Sequence, residues 1–374
     1  MSGAFGILIA GGGTGGHVFP ALALAAELSR RRPEEPVVFV GTRAGLESDL
    51  VPKAGYPLEF VRARGIVGKG LGARLAGTAA LAPAFLDSWR ILSRRAPRAV
   101  VGVGGYASGP VVATAWLRRV PTVVHEANAV PGATNRLLAR VATRVAVGTP
   151  AAREALPGAF VTGNPVREAF FGIPPLAGRP AARRMRVLVV GGSQGAQILN
   201  RLLPDALAAV AAGGRALSVV HQAGRARRGL GHDADDLRAR YDALGFGAPS
   251  VREFLDEIPS DVGAADLVVA RSGAMTAAEV AAAGRPALFV PFAGATHGHQ
   301  EANARALERA GAAVVVTEAE ASVPRLAEAI TALLDDPGRL AAMGEAARRA
   351  AVPDAASRLA DLVLGAVTAA GGAA

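Results

Sequence analysis

Short, almost wholly apolar runs recur along the chain, each followed by a longer helix-favouring stretch. Phe5–Ala10 (FGILIA), Val37–Val40, Val100–Val103 and Pro121–Val124 have the length and composition of strands buried on both faces. Phe5–Ala10 leads into Gly11-Gly12-Gly13-Thr14-Gly15-Gly16 and then an apolar run, Pro20–Leu28, with Pro20 suited to a first helical turn. Val100–Val103 also meets glycines, Gly104-Gly105-Tyr106, and Pro121–Val124 leads to His125-Glu126-Ala127-Asn128. Phe170–Arg184 has the composition of a linker, after which the pattern restarts. Arg186–Val190 reads as a strand, Gly191-Gly192-Ser193-Gln194-Gly195-Ala196 as a glycine turn, and a helix is expected from Gln197. Later strands are expected at Leu217–His221, Leu267–Ala270 and Ala287–Val290, and an apolar helix after Pro353, before a Gly/Ala tail. Strands alternating with helices predict an α/β protein with two doubly wound, Rossmann-like domains. Facing each other, these would line one cleft with the carboxyl ends of both sheets, where open sheets bind ligands.

A glycine loop between strand and helix lets backbone N–H groups approach an anion, and the helix amino end adds roughly half a positive charge. Two such loops suggest phosphate-bearing ligands, although each alone fits tight packing equally well. Neither is a P-loop, since Gly-Lys-Ser/Thr is absent. Gly11–Gly16 overlaps the dinucleotide pattern, but an acid is wanted about 20 residues on, and Gly41, Thr42 and Arg43 stand there instead. A nicotinamide enzyme is therefore disfavoured. His17 lies at the mouth of the first loop, where the helix dipole opposes adding a proton. A neutral imidazole suits a general base, and a capping or packing histidine would look the same.

A length of 374 residues suggests two domains, with 51% hydrophobic residues supplying large cores and 19% charged residues arguing against disorder. The absence of cysteine excludes disulfides, thiolate metal sites and cysteine nucleophiles. No apolar run approaches the ~18–20 residues of a spanning helix, and no basic region precedes the first apolar stretch, so a soluble intracellular protein without a signal peptide is expected. The net charge is +10, yet only Lys53 and Lys69 are lysines, a skew that makes the total a weak indicator. Its distribution says more: residues 1–180 carry 21 basic and 10 acidic residues, while 181–374 carry 20 and 21. The densest stretch, Arg62–Arg98, interleaves arginines with Leu75, Phe85, Trp89 and other apolar residues. Phe85 and Trp89, four apart, fall on one helical face. Such a patch suits an anionic membrane surface, or else a buried amphipathic helix with a solvated basic side. No nucleic-acid module accompanies it, and no nucleic-acid partner is expected. Asp233-Ala234-Asp235, within HDADDLRARY, reads as a helix start rather than a metal site, and His297 with His299 lacks a third ligand.

Seven motifs then occur in order: GGGTGGHVFPALALA (Gly11–Ala25), GVGGYASGP (Gly102–Pro110), HEANAVPGATN (His125–Asn135), GNPVR (Gly163–Arg167), GGSQGAQILN (Gly191–Asn200), RSGAMTAAE (Arg271–Glu279) and HQEANA (His299–Ala304). Together they resemble the MurG family of peptidoglycan N-acetylglucosaminyltransferases. The resemblance implies a GT-B fold and inverting transfer of GlcNAc from UDP-GlcNAc to the MurNAc C4 hydroxyl of lipid I, giving lipid II and UDP. It implies an acceptor-binding, membrane-facing domain at 1–165, to which a helix at about 354–374 returns, and a UDP-GlcNAc-binding domain at 166–353. It makes His17 the base and assigns the donor to Thr14, Gly15, Gly16, Asn128, Arg167, Ser193, Leu255, Ala274, Met275, Thr276, Ala277, Ala278, Glu279 and Gln300. Glu279 would accept the ribose hydroxyls, Ser193 would meet the diphosphate, the Leu255 backbone would meet the uracil, and Gln300 would read the GlcNAc hydroxyls. Tyr106 and Glu126 fall on the acceptor side.

The resemblance also places Leu75, Phe85, Trp89, Arg90 and Arg94 against the anionic inner face of the cytoplasmic membrane, as a peripheral enzyme, with other cell-wall synthesis proteins as potential partners. No cofactor or metal is expected. The chain departs from the family pattern at Ala127, commonly Gln, and at His297-Gly298, where an acid often precedes the His-Gln pair. Another GT-B nucleotide-sugar enzyme, such as a UDP-GlcNAc 2-epimerase, or a non-catalytic membrane-docked nucleotide-sugar-binding protein is the competing assignment.

Overall fold

A computed structural model describes residues 6–63, 81–177, 184–192, 195–224, 233–246 and 249–371. The chain forms two compact units, one of Met1–Val166 with Val352–Ala374 and one of Arg167–Ala351.

The first unit holds β1 (Ile7–Ala10), β2 (Val37–Gly41), β3 (Leu58–Phe60), β4 (Ala99–Gly102), β5 (Thr122–Glu126), β6 (Arg144–Val147) and β7 (Phe160–Val161). All pair in parallel, in the order β3-β2-β1-β4-β5-β6-β7, with Ile7 opposite both Val37 and Ala99. Its helices are α1 (Gly15–Arg31), α2 (Glu47–Lys53), α3 (Ala82–Arg95), α4 (Ser108–Leu117), α5 (Ala133–Leu138) and α6 (Pro150–Ala155). Strand β1 is apolar at every position because helices cover both of its faces. Ile7 and Ile9 join a core with Leu24 and Leu28 of α1, while Leu8 and Ala10 point the other way, toward Ile91 and Leu92 of α3 and Val111 of α4.

The second unit repeats the plan with β8 (Met185–Val190), β9 (Leu217–Gln222), β10 (Ser250–Arg252), β11 (Leu267–Ala270), β12 (Ala287–Phe289) and β13 (Ala313–Val315), again all parallel, in the order β10-β9-β8-β11-β12-β13. Helices α7 (Gln197–Ala212), α8 (Ala234–Ala243), α9 (Ile258–Ala264), α10 (Ala274–Ala283), α11 (His299–Arg309), α12 (Val323–Leu334) and α13 (Pro337–Ala350) cover it. The last helix, α14 (Ala355–Gly371), belongs to the first unit, where Leu359, Val363 and Val367 pack into the Ile7 and Leu24 core.

Three local expectations change. Helix α1 begins at Gly15 rather than Pro20, so Pro20 lies in its second turn, where the missing N–H leaves the Gly16 carbonyl without its usual helical donor. The start of the expected linker is part of the second unit: the Phe170 ring is fully buried, and the buried guanidinium of Arg285 donates to the Pro174 carbonyl at 3.0 Å. The edge strands β3, β7, β10 and β13 have only two or three residues each, too short to stand out as apolar runs.

Candidate active site

In each sheet the strand order reverses beside the first strand, and the crevice at that switch point is where doubly wound folds bind ligands. In the first unit two glycine loops meet there. A Cβ on Gly105 would stand 2.3 Å from the Gly12 oxygen, and one on Gly104, whose φ is +95°, would stand 2.7 Å from Cδ2 of His17. Only glycine permits this approach. Helix α1 starts at the loop; the His17 and Val18 N–H groups donate to the Thr14 carbonyl at 3.1 and 3.2 Å, and those of Gly15 and Gly16 lie ahead of the first helical acceptor, at the positive end of the helix dipole. The Thr14 side chain is exposed, and Gly15, Gly16 and His17 are half-buried. His17 Nδ1 lies 3.1 Å from the Gly12 carbonyl oxygen, with Thr14 Oγ1 at 3.4 Å. A carbonyl can only accept, so the 3.1 Å contact favours the ring proton on Nδ1, the tautomer in which Nε2 carries the lone pair.

A residue missed in the sequence stands behind this loop. Glu47, at the start of α2, is buried; its carboxylate accepts the Gly13 N–H at 2.6 Å and both the N–H and Oγ1–H of Thr42 at 2.8 Å. The acid sought at the end of β2 is thus present a few residues later, and it binds the loop backbone.

Glu126, expected on the acceptor side, is buried, and its carboxylate accepts the Asn128 N–H at 2.9 Å, Asn128 Nδ2 at 3.1 Å, the Gly132 N–H at 3.0 Å and Asn135 Nδ2 at 2.9 Å. Four donors consume its lone pairs, so it shapes the loop after β5 and orients Asn128. His125 beside it is fully buried, which pushes its imidazole below the usual histidine range, and Nε2 meets the Gly163 carbonyl at 3.3 Å. Tyr106 is 59% exposed at the β4–α4 loop.

In the second unit, α10 begins at the corresponding switch point, after β11. Ala274, Met275 and Ala277 are buried, while Thr276 and Ala278 are half-buried. Glu279 follows in the second turn, buried and paired with Arg167 at 3.3 Å; burial pushes its carboxyl up to about 7, with the Arg167 charge pulling the other way. Arg167 also stacks on Phe170, 5.1 Å from the ring centre. Gln300, in the first turn of α11, accepts the Phe292 N–H on its side-chain Oε1 at 3.0 Å, and its backbone carbonyl takes the Ser272 hydroxyl at 2.8 Å, tying this helix to the loop before α10. The Leu255 side chain is buried. Ser193 lies outside the described residues, although the same loop is visible at Gly195, where a Cβ would meet the Ala223 oxygen at 2.4 Å. Asp233 caps α8, accepting the N–H groups of Asp235 and Asp236 at 3.0 and 2.9 Å.

The basic segment is partly described, Leu75 lying outside it. On α3, Trp89 is 51% exposed, Phe85 is half-buried and the more exposed neighbour is Leu86. Arg94 and Arg95 share Glu59 at 2.8 and 2.6 Å, and Arg62 binds Asp87 at 2.8 Å, so part of the charge excess is neutralised locally. Arg90 is exposed, and Arg118 covers the Trp89 ring at 5.0 Å. Trp116 and Leu117, at the end of α4, are exposed as well. Neither stands out in the sequence, because they lie at the end of a second helix and not on the one amphipathic face that carries Phe85 and Trp89.

Residues 7–147 match the glycosyltransferase family 28 N-terminal domain and residues 186–359 its C-terminal domain. The chain is 44% identical over 364 residues, 96% of its length and 92% of the relative, to the UDP-N-acetylglucosamine–N-acetylmuramyl-(pentapeptide) pyrophosphoryl-undecaprenol N-acetylglucosamine transferase of Anaeromyxobacter sp. strain K. It is 45% identical over 359 residues to the same-named protein of Methylococcus capsulatus, covering 96% and 98% of the two chains. Among solved structures, MurG of Acinetobacter baumannii superposes with a TM-score of 0.75 at 32% identity, over 96% of this chain and 99% of that one. UDP-GlcNAc 2-epimerase of Neisseria meningitidis shares the fold alone, at 13% identity and a TM-score of 0.65. Two glycine-loop sheets, a histidine whose Nδ1 meets the Gly12 carbonyl and similarity over nearly the full length agree: the chain is a GT-B glycosyltransferase of family 28 and belongs to the MurG family.

Proposed function

We propose that the chain transfers GlcNAc from UDP-GlcNAc to the MurNAc C4 hydroxyl of lipid I, forming the β-1,4 bond of lipid II and releasing UDP, with inversion at the anomeric carbon. Near full-length identity to relatives named for this transfer carries the assignment of activity. The contact between His17 Nδ1 and the Gly12 carbonyl supports the assignment of the base.

Two groups of residues divide the chemistry. His17 Nε2 takes the proton of the attacking hydroxyl as its oxygen bonds to C1 of GlcNAc and the bond from C1 to the diphosphate oxygen breaks. A positioned base of this kind contributes ~10²–10⁴-fold. The negative charge left on UDP falls to backbone N–H groups and helix amino ends: the loop after β8, with Ser193, and the start of α10 from Ala274. Glu279 accepts the two ribose hydroxyls and Arg167 orients it. The Leu255 backbone meets the uracil, Gln300 and Asn128 position the GlcNAc, and Thr14 with Gly15 and Gly16 lies at its sugar end. Tyr106, exposed beside the first loop, faces the acceptor.

The acceptor is a lipid, so the enzyme works at the cytoplasmic face of the cell membrane as a peripheral protein. Exposed Leu86, Trp89, Trp116 and Leu117, with Arg90 and Arg118 among them, support docking on anionic headgroups. No helix among the described residues is long and apolar enough to cross a membrane.

Transfer from radiolabelled UDP-GlcNAc to a lipid I analogue tests the proposal. His17→Ala is expected to lower turnover ~10²-fold or more while UDP-GlcNAc binding survives, and Glu279→Ala to weaken donor binding. An intact His17→Ala turnover rejects the base, and 2-epimerisation without transfer rejects the reaction.

A further inference from the structure

We infer that Glu47 is a positioning residue that sets the tautomer of His17 through the Gly12–Gly13 peptide group. The inference deepens the proposed function and rests on His17 being the base. The Gly13 N–H donates to Glu47 Oε2 at 2.6 Å, and the Gly12 carbonyl, on the other side of the same amide plane, meets His17 Nδ1 at 3.1 Å. A trans peptide is one rigid plate whose N–H and C=O point in opposite directions. Holding its N–H therefore aims its carbonyl. The carboxylate also polarises the amide, which makes the carbonyl a stronger acceptor for the Nδ1 proton.

Glu47 cannot easily turn away. Its Oε1 accepts the N–H and the hydroxyl of Thr42, both at 2.8 Å. Three glycines make room for it: a Cβ on Gly12, Gly41 or Gly45 would stand 2.2, 2.4 or 2.0 Å from its side-chain atoms. Gly12 also has a φ of +144°, which a side chain would resist. Carboxylate, peptide and imidazole thus form a line in which an acid orients a histidine at one remove, with the peptide standing where a direct carboxylate–imidazole bond would otherwise be.

The test uses the full-length enzyme labelled with ¹⁵N-histidine, read by the ring-nitrogen shifts of His17, with steady-state transfer kinetics alongside. Wild type is expected to carry the proton on Nδ1. Glu47→Gln loses the charge and turns one end into an NH₂ group: facing Gly13 it cannot accept that N–H, and facing Thr42 it leaves Gly13 only a neutral amide oxygen, a weaker acceptor. The Nδ1–H population should fall, and kcat should drop about tenfold or more, while KM for UDP-GlcNAc stays within about twofold. Thr42→Val removes one donor from the same carboxylate and leaves the Gly13 contact; it should keep kcat within about twofold.

An Nε2–H tautomer in wild type overturns the inference. So does a Glu47→Gln enzyme with wild-type kcat, or an equal loss of kcat in both variants, which marks Glu47 as structural only. If Glu47→Gln does not fold, the wild-type tautomer decides. Turnover that survives His17→Ala removes the base assignment while leaving the tautomer measurement to judge Glu47 on its own.

Discussion

Glu279 connects donor binding to pH in a way that can be calculated. Its carboxyl is buried and pushed up to about 7 from an ordinary 4.5, with Arg167 at 3.3 Å only partly offsetting the cost of burial. Ribose hydroxyls are donors, so the proposed contact needs the carboxylate. With a midpoint near 7, roughly one molecule in ten is ionised at pH 6 and nine in ten at pH 8, so the Kd for UDP-GlcNAc should tighten about tenfold over that interval. UDP-GlcNAc is the proper ligand because its diphosphate diester does not titrate there, and calorimetry at the two pH values reads the change. Glu279→Gln should bind more weakly at pH 8 and show no such slope. Stability supplies a second reading with its own sign. A folded value above the unfolded one means that the native state holds its proton more tightly. This contribution is therefore fully present below about pH 4.5, is lost as pH rises toward 7, and amounts to about 3 kcal/mol. The Gln variant lacks this slope, so the stability difference between it and wild type should change by about that amount across the interval. A wild-type Kd that is flat from pH 6 to 8, or a Gln variant with the wild-type slope, refutes the reasoning.

Co-sedimentation with vesicles should require anionic lipid, weaken as salt is raised and drop several-fold in a Trp89→Ala/Trp116→Ala variant; binding indifferent to lipid charge and salt rejects the docking surface. Turnover should be unaffected by EDTA, since Asp233 of the Asp-Ala-Asp sequence caps α8; loss with EDTA and recovery with Mg²⁺ contradicts this. Leu359→Ala on α14, a fully buried position in the Ile7 core, should cost about 2–5 kcal/mol in denaturant unfolding, and a loss below 1 kcal/mol would show that α14 contributes little to that core.

Much of the molecule could be read from the chain alone, because the signals are local. A strand covered on both faces must be apolar at every position, so β1, β2, β4 and β8 stand out as runs, and an amide cradle needs glycine, so the loops after β1 and β8 stand out as clusters. His17 was visible because its place is fixed by the loop before it and the helix it begins. Tertiary structure decided what depends on residues far apart in sequence. Glu47 lies 34 residues from Gly13, and neither residue type nor spacing ties a glutamate after β2 to a peptide before α1. The partners of the Glu126 carboxylate, Asn128, Gly132 and Asn135, are likewise set by how the loop after β5 folds back on it. Phe170 looked like linker until its ring was found buried, and Trp116 was unremarked until Arg118 brought the end of α4 beside Trp89. Backbone conformation and burial are written into short stretches of sequence. The partner a carboxylate or an aromatic ring finds is settled only when the sheet brings distant loops to one edge.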